Sequence, residues 1–512
     1  MLNSRILLTC VLLCAGLAVH AQQDNGAPLS VIDWLDQQSA TPVAQPAPDE
    51  PDVTTTANVP AVTVAPLQGS TPKRVGLAPS SVTGLPDDIW SGSQGGTLAR
   101  AIATLPDAPL PALQSLIVTL LLAEANPPKG ATNAFDLARV DALTRFGALD
   151  PALALLEQSG VDQSPAHFKR FMDLSLISGT EGGACAILSD TPALSPGRAH
   201  DVFCAARAGD WDDAVLILGT ARALGLLDPH RVEALERFLD PDLFEGEAPL
   251  TVPATPDPLT FRLFEAIGTP IPTRGWPVIY ANADLATTAG WKAQLEAAER
   301  LAQRGTLGDN RLLGLYTQRQ AAASGGVWDR VAAVQRFETA LRTGSTSAVS
   351  KTLPDAWRAV QAVRLETVFA SLFADRLGQL ALSGPIADLA FDIILLSPGY
   401  EAAPTLLPAR ALKRPAHTAI ATGTVPAGLV ADGIEGAVLS AFATAAPNAQ
   451  TIAKAQGGAL GAAVVDAIVQ THEGSAGDVS DLATGLATLR ALGLEDVARR
   501  VGLQVLLLDN RA

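Results

Sequence analysis

Cysteine, tyrosine, methionine and histidine are scarce in this chain, and the shortages remove classes of chemistry. Of 512 residues only four are Cys, three Tyr, two Met and six His. His167, His200, His230, His417 and His472 stand far apart with no His-X-X-X-His pair, so the usual helical metal sites are set aside. No Cys-X-X-Cys occurs, which removes thioredoxin-type redox chemistry. Gly92-Ser93-Gln94-Gly95 is one residue too short for a nucleophile elbow, and Ser347 to Lys351 has the wrong interval for Ser-X-X-Lys. Gly457-Gly-Ala-Leu-Gly461 lacks both the dinucleotide spacing and a following Lys-Ser/Thr, and reads as tight helix packing. No cofactor and no metal is therefore expected. Lys and Arg number 36 against 52 Asp and Glu. Such a chain has no basic stripe to displace counterions from nucleic acid and no polybasic patch for anionic lipid. The acidity suits a soluble secreted protein.

What is present begins with a leader. Met1 to Arg5 is cationic, Ile6 to Leu17 is almost wholly apolar, and Ala18-Val19-His20-Ala21 is a small-residue exit. That order predicts a secretory signal peptide over residues 1–21, cut after Ala21, and a periplasmic or secreted protein of about 490 residues. Neither Cys10 nor Cys14 follows a small residue, so release rather than lipidation is expected. No later segment offers the roughly 18 uninterrupted apolar residues of a membrane span.

Ala and Leu dominate while β-branched and aromatic residues come mostly singly, which predicts an all-α body. Val278-Ile279-Tyr280 is one of few strand-like runs, too short to make a sheet. Cleavage leaves two cysteines, Cys185 and Cys204, and an isolated pair in an oxidising compartment is expected to form a disulfide between adjacent helices.

Residues 22–86 read as a Pro/Thr/Ala-rich disordered tail, because such a composition buries too little apolar surface to offset ordering entropy. One apolar island, 29–35, interrupts it with Val31, Ile32, Trp34 and Leu35. It suits either docking on a partner or packing back on its own body. Helical patterning then runs over 87–244, a Pro-rich linker over 245–258, a central helical block over 259–396, a second linker over 397–424 and a terminal helical bundle over 425–512.

A weak recurrence marks the helical body. Trp211 is followed by Gly225 and Trp291 by Gly305, with apolar stripes Val215, Leu218, Ala221 and Leu295, Ala298, Leu301 between them. Trp328 to Gly344 and Trp357 to Leu372 are looser versions. A tryptophan at a helix start, such a stripe and a terminal glycine describe the first helix of an αα-hairpin, and stacked hairpins give a solenoid. Ala208-Gly-Asp-Trp-Asp-Asp-Ala214 with Ala221 and Leu224-Gly225, and Trp291 to Ala302, resemble tetratricopeptide and Sel1-type repeats over about a quarter of the chain. The spacing between units departs from those families' fixed period. The resemblance implies an irregular helical-repeat scaffold that binds protein.

Two stretches remain as candidates for function. Tyr316, Arg319, Trp328 and Arg330 gather around Gly325-Gly326, and Tyr, Trp and Arg are the residues enriched at binding hot spots. An ordinary helix break with Trp328 in the core fits the same pattern. Asp240, Asp242, Glu245 and Glu247 cluster at the first linker, and glycosidic cleavage needs only two carboxylates. Secreted lytic transglycosylases also use helical superhelices, but their Glu-Ser motif has no counterpart here. The sequence thus predicts a non-catalytic scaffold or adaptor for another cell-envelope protein. The alternative is a cell-wall glycan-binding or glycan-cleaving accessory protein.

Overall fold

The computed structural model describes residues 74–130, 133–321 and 323–508, all within the unit Ser70–Ala512. The leader at 1–21 and the island with Val31, Ile32, Trp34 and Leu35 lie outside the described residues. Among the described residues the fold is all-α, with isolated bridges but no strand. None of its helices is long and apolar enough to cross a membrane.

The helices of eight or more residues begin with α1 Gly95–Ala103, α2 Pro111–Leu122, α3 Asn133–Phe146, α4 Leu149–Ser159 and α5 Pro165–Ser178. Next come α6 Glu181–Asp190, α7 Arg198–Ala208, α8 Trp211–Ala223, α9 Pro229–Leu239 and α10 Pro258–Ala266. The middle of the chain holds α11 Trp291–Gln303, α12 Asp309–Thr317, α13 Val327–Arg342, α14 Thr346–Gln361, α15 Glu366–Gly378 and α16 Gly384–Leu395. The last are α17 Pro415–Thr422, α18 Gly433–Ala443, α19 Ala449–Gln456, α20 Leu460–Ser475, α21 Val479–Ala491 and α22 Glu495–Leu507. Helices adjacent in sequence pack on one another through most of the chain.

Local chemistry explains many boundaries. Ser164, Asp228 and Asp257 each precede a proline, and each side chain accepts from a backbone N–H of the first turn. The cap satisfies an orphan donor, and proline at the first helical position forfeits none. Trp211 and Trp291 do open helices, and Gly225 and Gly305 close them at φ 64° and 62°, a left-handed conformation that only glycine adopts cheaply. Trp357 departs from the recurrence, lying near the end of α14 rather than at a helix start. Val278-Ile279-Tyr280 opens the 3-10 helix Val278–Leu285.

The ordered body starts earlier than composition suggests. Residues 74–86, read as tail, are held by α2 and α3 and the connection between them. Leu77 and Ala78 donate backbone N–H to Leu122 O, and Val75 O accepts from the buried Arg139 guanidinium at 2.9 Å. Backbone partners supplied from elsewhere in the fold, with Leu85 in the main core and Val75 packed against it, hold this stretch.

Neither Pro-rich stretch is bare chain between cores. Val232 and Leu235 before 245–258 share a core with Leu259 and Leu263 after it. Over 397–424 the prolines start short helices, Pro408–Ala411 and Pro415–Thr422, and Tyr400 and Ile420 enter the main core. That core is continuous from Leu85 to Val505. The terminal helices reach back to the first ones: α22 packs on α2, and α20 on α1 and α2. Ala112 N donates to the buried Gln504 Oε1 at 2.9 Å, and Gly461 N to Ile89 O at 2.9 Å. A Cβ on Gly461 would stand 2.5 Å from the Trp90 ring, so the glycine is what lets α20 sit this close.

Two histidines give the fold an acid limit. Burial holds His200 at about 4, among Asp257, Lys169, Arg231 and Asp201, and holds His417 at about 4 beside Arg414. The unfolded chain takes up these protons below about pH 6.5 and the folded chain only near pH 4. Stability therefore falls as pH drops through that window. Asp392, pushed up to about 6 by burial against the pull of Arg414, acts in the opposite sense as pH falls below 6. Melting temperature measured from pH 7 to 4 will decline less in a His200→Gln/His417→Gln variant. An unchanged slope would refute the assignment.

Candidate functional site

Helix α8 has more apolar residues than one face can bury. It turns Ala214, Leu218 and Ala221 inward against its neighbours α7 and α9. Trp211 remains 49% exposed, Val215 59% and Leu216 67%, and Leu224 and Leu226 in the following turn are 67% and 55% exposed. Gly219 lies among them on the same helix, with nothing within 4 Å of where a Cβ would stand. The matching helix α11 behaves differently. Trp291 is 8% exposed, tilts against Trp328 at 5.1 Å between ring centroids, and donates its Nε1–H to Leu315 O at 3.1 Å. The recurring tryptophan is thus a core residue in α11 and a surface residue in α8, where no such helix covers it.

A groove lies on another side of α8, lined by Asp213 and Ile217 rather than by the exposed apolar residues. It has a volume of about 660 Å³ and is lined by α6, α7 and α8, including Cys185, Arg198, Cys204, Asp210 and Ile217. Its floor is tied by the Cys185–Cys204 disulfide, which joins α6 to α7 at a Cα–Cα distance of 5.1 Å. Arg207 pairs with Glu181 at 3.3 Å and Arg198 with Asp201 at 3.0 Å, so both arginines already answer a carboxylate. Asp212 and Asp213 stand in the first turn of α8, where acid suits the helix N-terminus. Several large apolar side chains exposed on one helix and its turn are the kind of surface that marks protein contacts.

The second stretch singled out in the sequence folds into a different arrangement. Tyr316 is buried on α12, and its hydroxyl donates to Glu299 Oε1 at 2.6 Å. Arg330 Nε donates to the same oxygen at 2.7 Å, and its Nη2 bonds Oε2. Tyr316 and Arg330 are thereby turned into the core around Glu299, an acid the sequence reading passed over. Trp328 is half-buried against Trp291, and only Arg319 is fully exposed, its backbone oxygen accepting from Gln335 Nε2. Gly325 and Gly326, at φ 91° and 56°, make the break before α13.

The acids of the first Pro-rich stretch are placed separately. Glu247 pairs with Arg237 at 3.2 Å, Asp240 caps the turn at Leu243, and Asp242 and Glu245 are exposed. Among the described residues no group of three or more His, Cys, Asp or Glu side chains is placed to hold a metal ion. Sequence patterning missed the α8 surface because its Trp211–Gly225 frame matched α11. Val215, assigned to the apolar stripe by its spacing, is exposed and Ala214 takes the buried place, leaving Leu216, Leu224 and Leu226 as surplus apolar residues. No family model, curated protein or solved structure matches this chain.

Proposed function

We propose that this chain is a secreted, periplasmic, non-catalytic helical scaffold that binds another cell-envelope protein through the α8 surface. One observation carries the reading: five large apolar side chains from Trp211 to Leu226 stand in solvent on one helix and its turn, where burial of each is worth about 1.5–3 kcal/mol. The leader-like residues 1–21 and the disulfide support an oxidising compartment. Trp211 is the expected anchor, being the aromatic residue among them.

Photo-crosslinking in the envelope tests this, with the crosslinker at position 216 and, as control, at the still more exposed Val430. The expected result is one protein captured from 216 and not from 430. Trp211→Ser should weaken that partner's binding by about 30-fold, the loss of a hot spot of about 2 kcal/mol. Deleting residues 29–36 asks whether the apolar island is a second contact. Equal capture from both positions would overturn the reading, and so would recovery of cell-wall fragments without a protein. The latter moves the weight to the glycan alternative.

A further inference from the structure

A second groove, remote in sequence from α8, is built from arginine. It has a volume of about 370 Å³ and is lined by Arg145 at the end of α3, Arg300 and Arg304 at the end of α11, Trp276, and Asp107 from the loop after α1. Three guanidiniums and a single carboxylate meet there, in a chain whose net charge is −16.

Arg300 and Arg304 are held by carbonyls without an acid partner, and Arg145 alone reaches a carboxylate. Arg300 donates to Thr273 O at 3.0 Å and to Trp276 O at 2.6 Å, which fixes the loop that carries the tryptophan. Arg304 Nη1 donates to the backbone oxygen of Asp107. Arg145 donates to Ile102 O at 3.3 Å and lies 3.4 Å from the Asp107 carboxylate, which is itself 72% exposed. Elsewhere arginines end on acids, as Arg170 does on Asp141 and Arg499 on Glu401. Among the described residues no carboxylate lies within 4.0 Å of Arg300 or Arg304. Backbone carbonyls cancel no charge, and like charges four residues apart on a helix repel. Burial and the neighbouring Arg304 charge hold Arg300 below its usual value, against the opposing pull of Asp284.

A helix C-terminus favours cations, and Arg145, Arg300 and Arg304 each sit at one, at the ends of α3 and α11. That preference explains each arginine singly but not the meeting of two such helix ends across one groove, which brings three guanidiniums together. Each guanidinium has five N–H donors, and Arg304 spends one of them. The remaining forks match the geometry of an oxyanion.

We infer that this groove binds a small anionic ligand, its carboxylate or phosphate group between Arg145, Arg300 and Arg304 and an apolar or ring portion against Trp276. The site is independent of the α8 surface, so the two readings stand or fall separately. Asp107 is the carboxylate lining the groove that opposes the ligand, and being exposed it tunes affinity without belonging to the core.

Isothermal titration calorimetry on the whole mature protein tests this with three probes: phenyl phosphate, benzoate and inorganic phosphate. Saturable binding in the millimolar range or tighter is expected for at least one ring-bearing probe. Phenyl phosphate against benzoate tells phosphate from carboxylate, and inorganic phosphate against phenyl phosphate reads the contribution of Trp276. Arg304→Gln should weaken binding about tenfold. Asp107→Asn, an exposed change that leaves its backbone contact in place, should tighten it about fivefold. Absence of saturable binding by all three probes would overturn the inference, as would an affinity that neither variant moves.

Discussion

Replacing Glu299 by alanine will cost about 3–5 kcal/mol of folding stability, the loss expected when one partner of a buried ion pair is removed. Glu299 is 4% exposed and accepts from both Tyr316 and Arg330, and the Arg330 side chain is itself only 12% exposed. Alanine leaves that guanidinium in the core with no counter-charge and the tyrosine hydroxyl with no acceptor. Tyr316→Phe should cost about 1–2 kcal/mol, since it removes a donor and leaves the Arg330–Glu299 pair intact. The triple change Glu299→Leu/Arg330→Met/Tyr316→Phe should recover most of the loss, because replacing a whole buried network by apolar groups is often neutral. The network also has a pH signature. Burial first, and the Glu299 charge second, hold the Tyr316 hydroxyl well above its ordinary range. Its contribution is complete below the ordinary tyrosine value of about 10 and is lost as pH rises beyond it. Urea unfolding of the four proteins at pH 7 and pH 10.5 would check both statements. A Glu299→Ala loss under about 1 kcal/mol would show that water reaches Arg330 and that the pair counts as a surface one.

Removing the disulfide by Cys185→Ser/Cys204→Ser will cost about 3 kcal/mol. The bridge closes a loop of 19 residues, and chain entropy alone assigns that amount to a loop of this length. The effect should be local. Cys185 and Cys204 belong to the smaller core with Phe168, Val202, Phe203 and Leu235, separate from the main one. Amide exchange should accelerate over 181–223 while α20 and α21 keep their protection. Since the bridge ties α6 to α7 under the groove, the variant should also lose crosslinking from position 216. Uniform destabilisation across the chain would contradict a separate smaller core. Modification of both cysteines by a thiol reagent in the native, unreduced protein would contradict the bridge itself.

Much of this fold could be read locally. Caps such as Asp228-Pro229 and Asp257-Pro258 and stops such as Gly225 and Gly305 are signals within a few residues, and the helices begin and end there. The disulfide followed from counting, because only two cysteines lie beyond residue 21. What could not be read is set by contacts distant in sequence. Residues 74–86 look like tail until Arg139 and Leu122 supply their partners. Tyr316 and Arg330 look like surface hot spots until Glu299, well upstream on another helix, draws them inward. Trp211 and Trp291 begin near-identical frames, and only the helices packed above them make one a core residue and the other a surface one. The arginine groove is of this kind, since its residues come from α3, α11 and two loops and no single stretch announces it.

The hydrogen bond from Ala112 to Gln504 spans 392 residues. At roughly 5–20 residues per second of synthesis, the first helices wait roughly 20–80 s before the segment that covers them exists. During that interval Leu113 and Ile117, fully buried in the finished protein, have no lid from the last helix. The chain therefore behaves like a belt whose buckle is made last. A chain cut short of residue 504 lacks the acceptor for Ala112 and the helix that packs on α2, and so leaves that apolar surface uncovered.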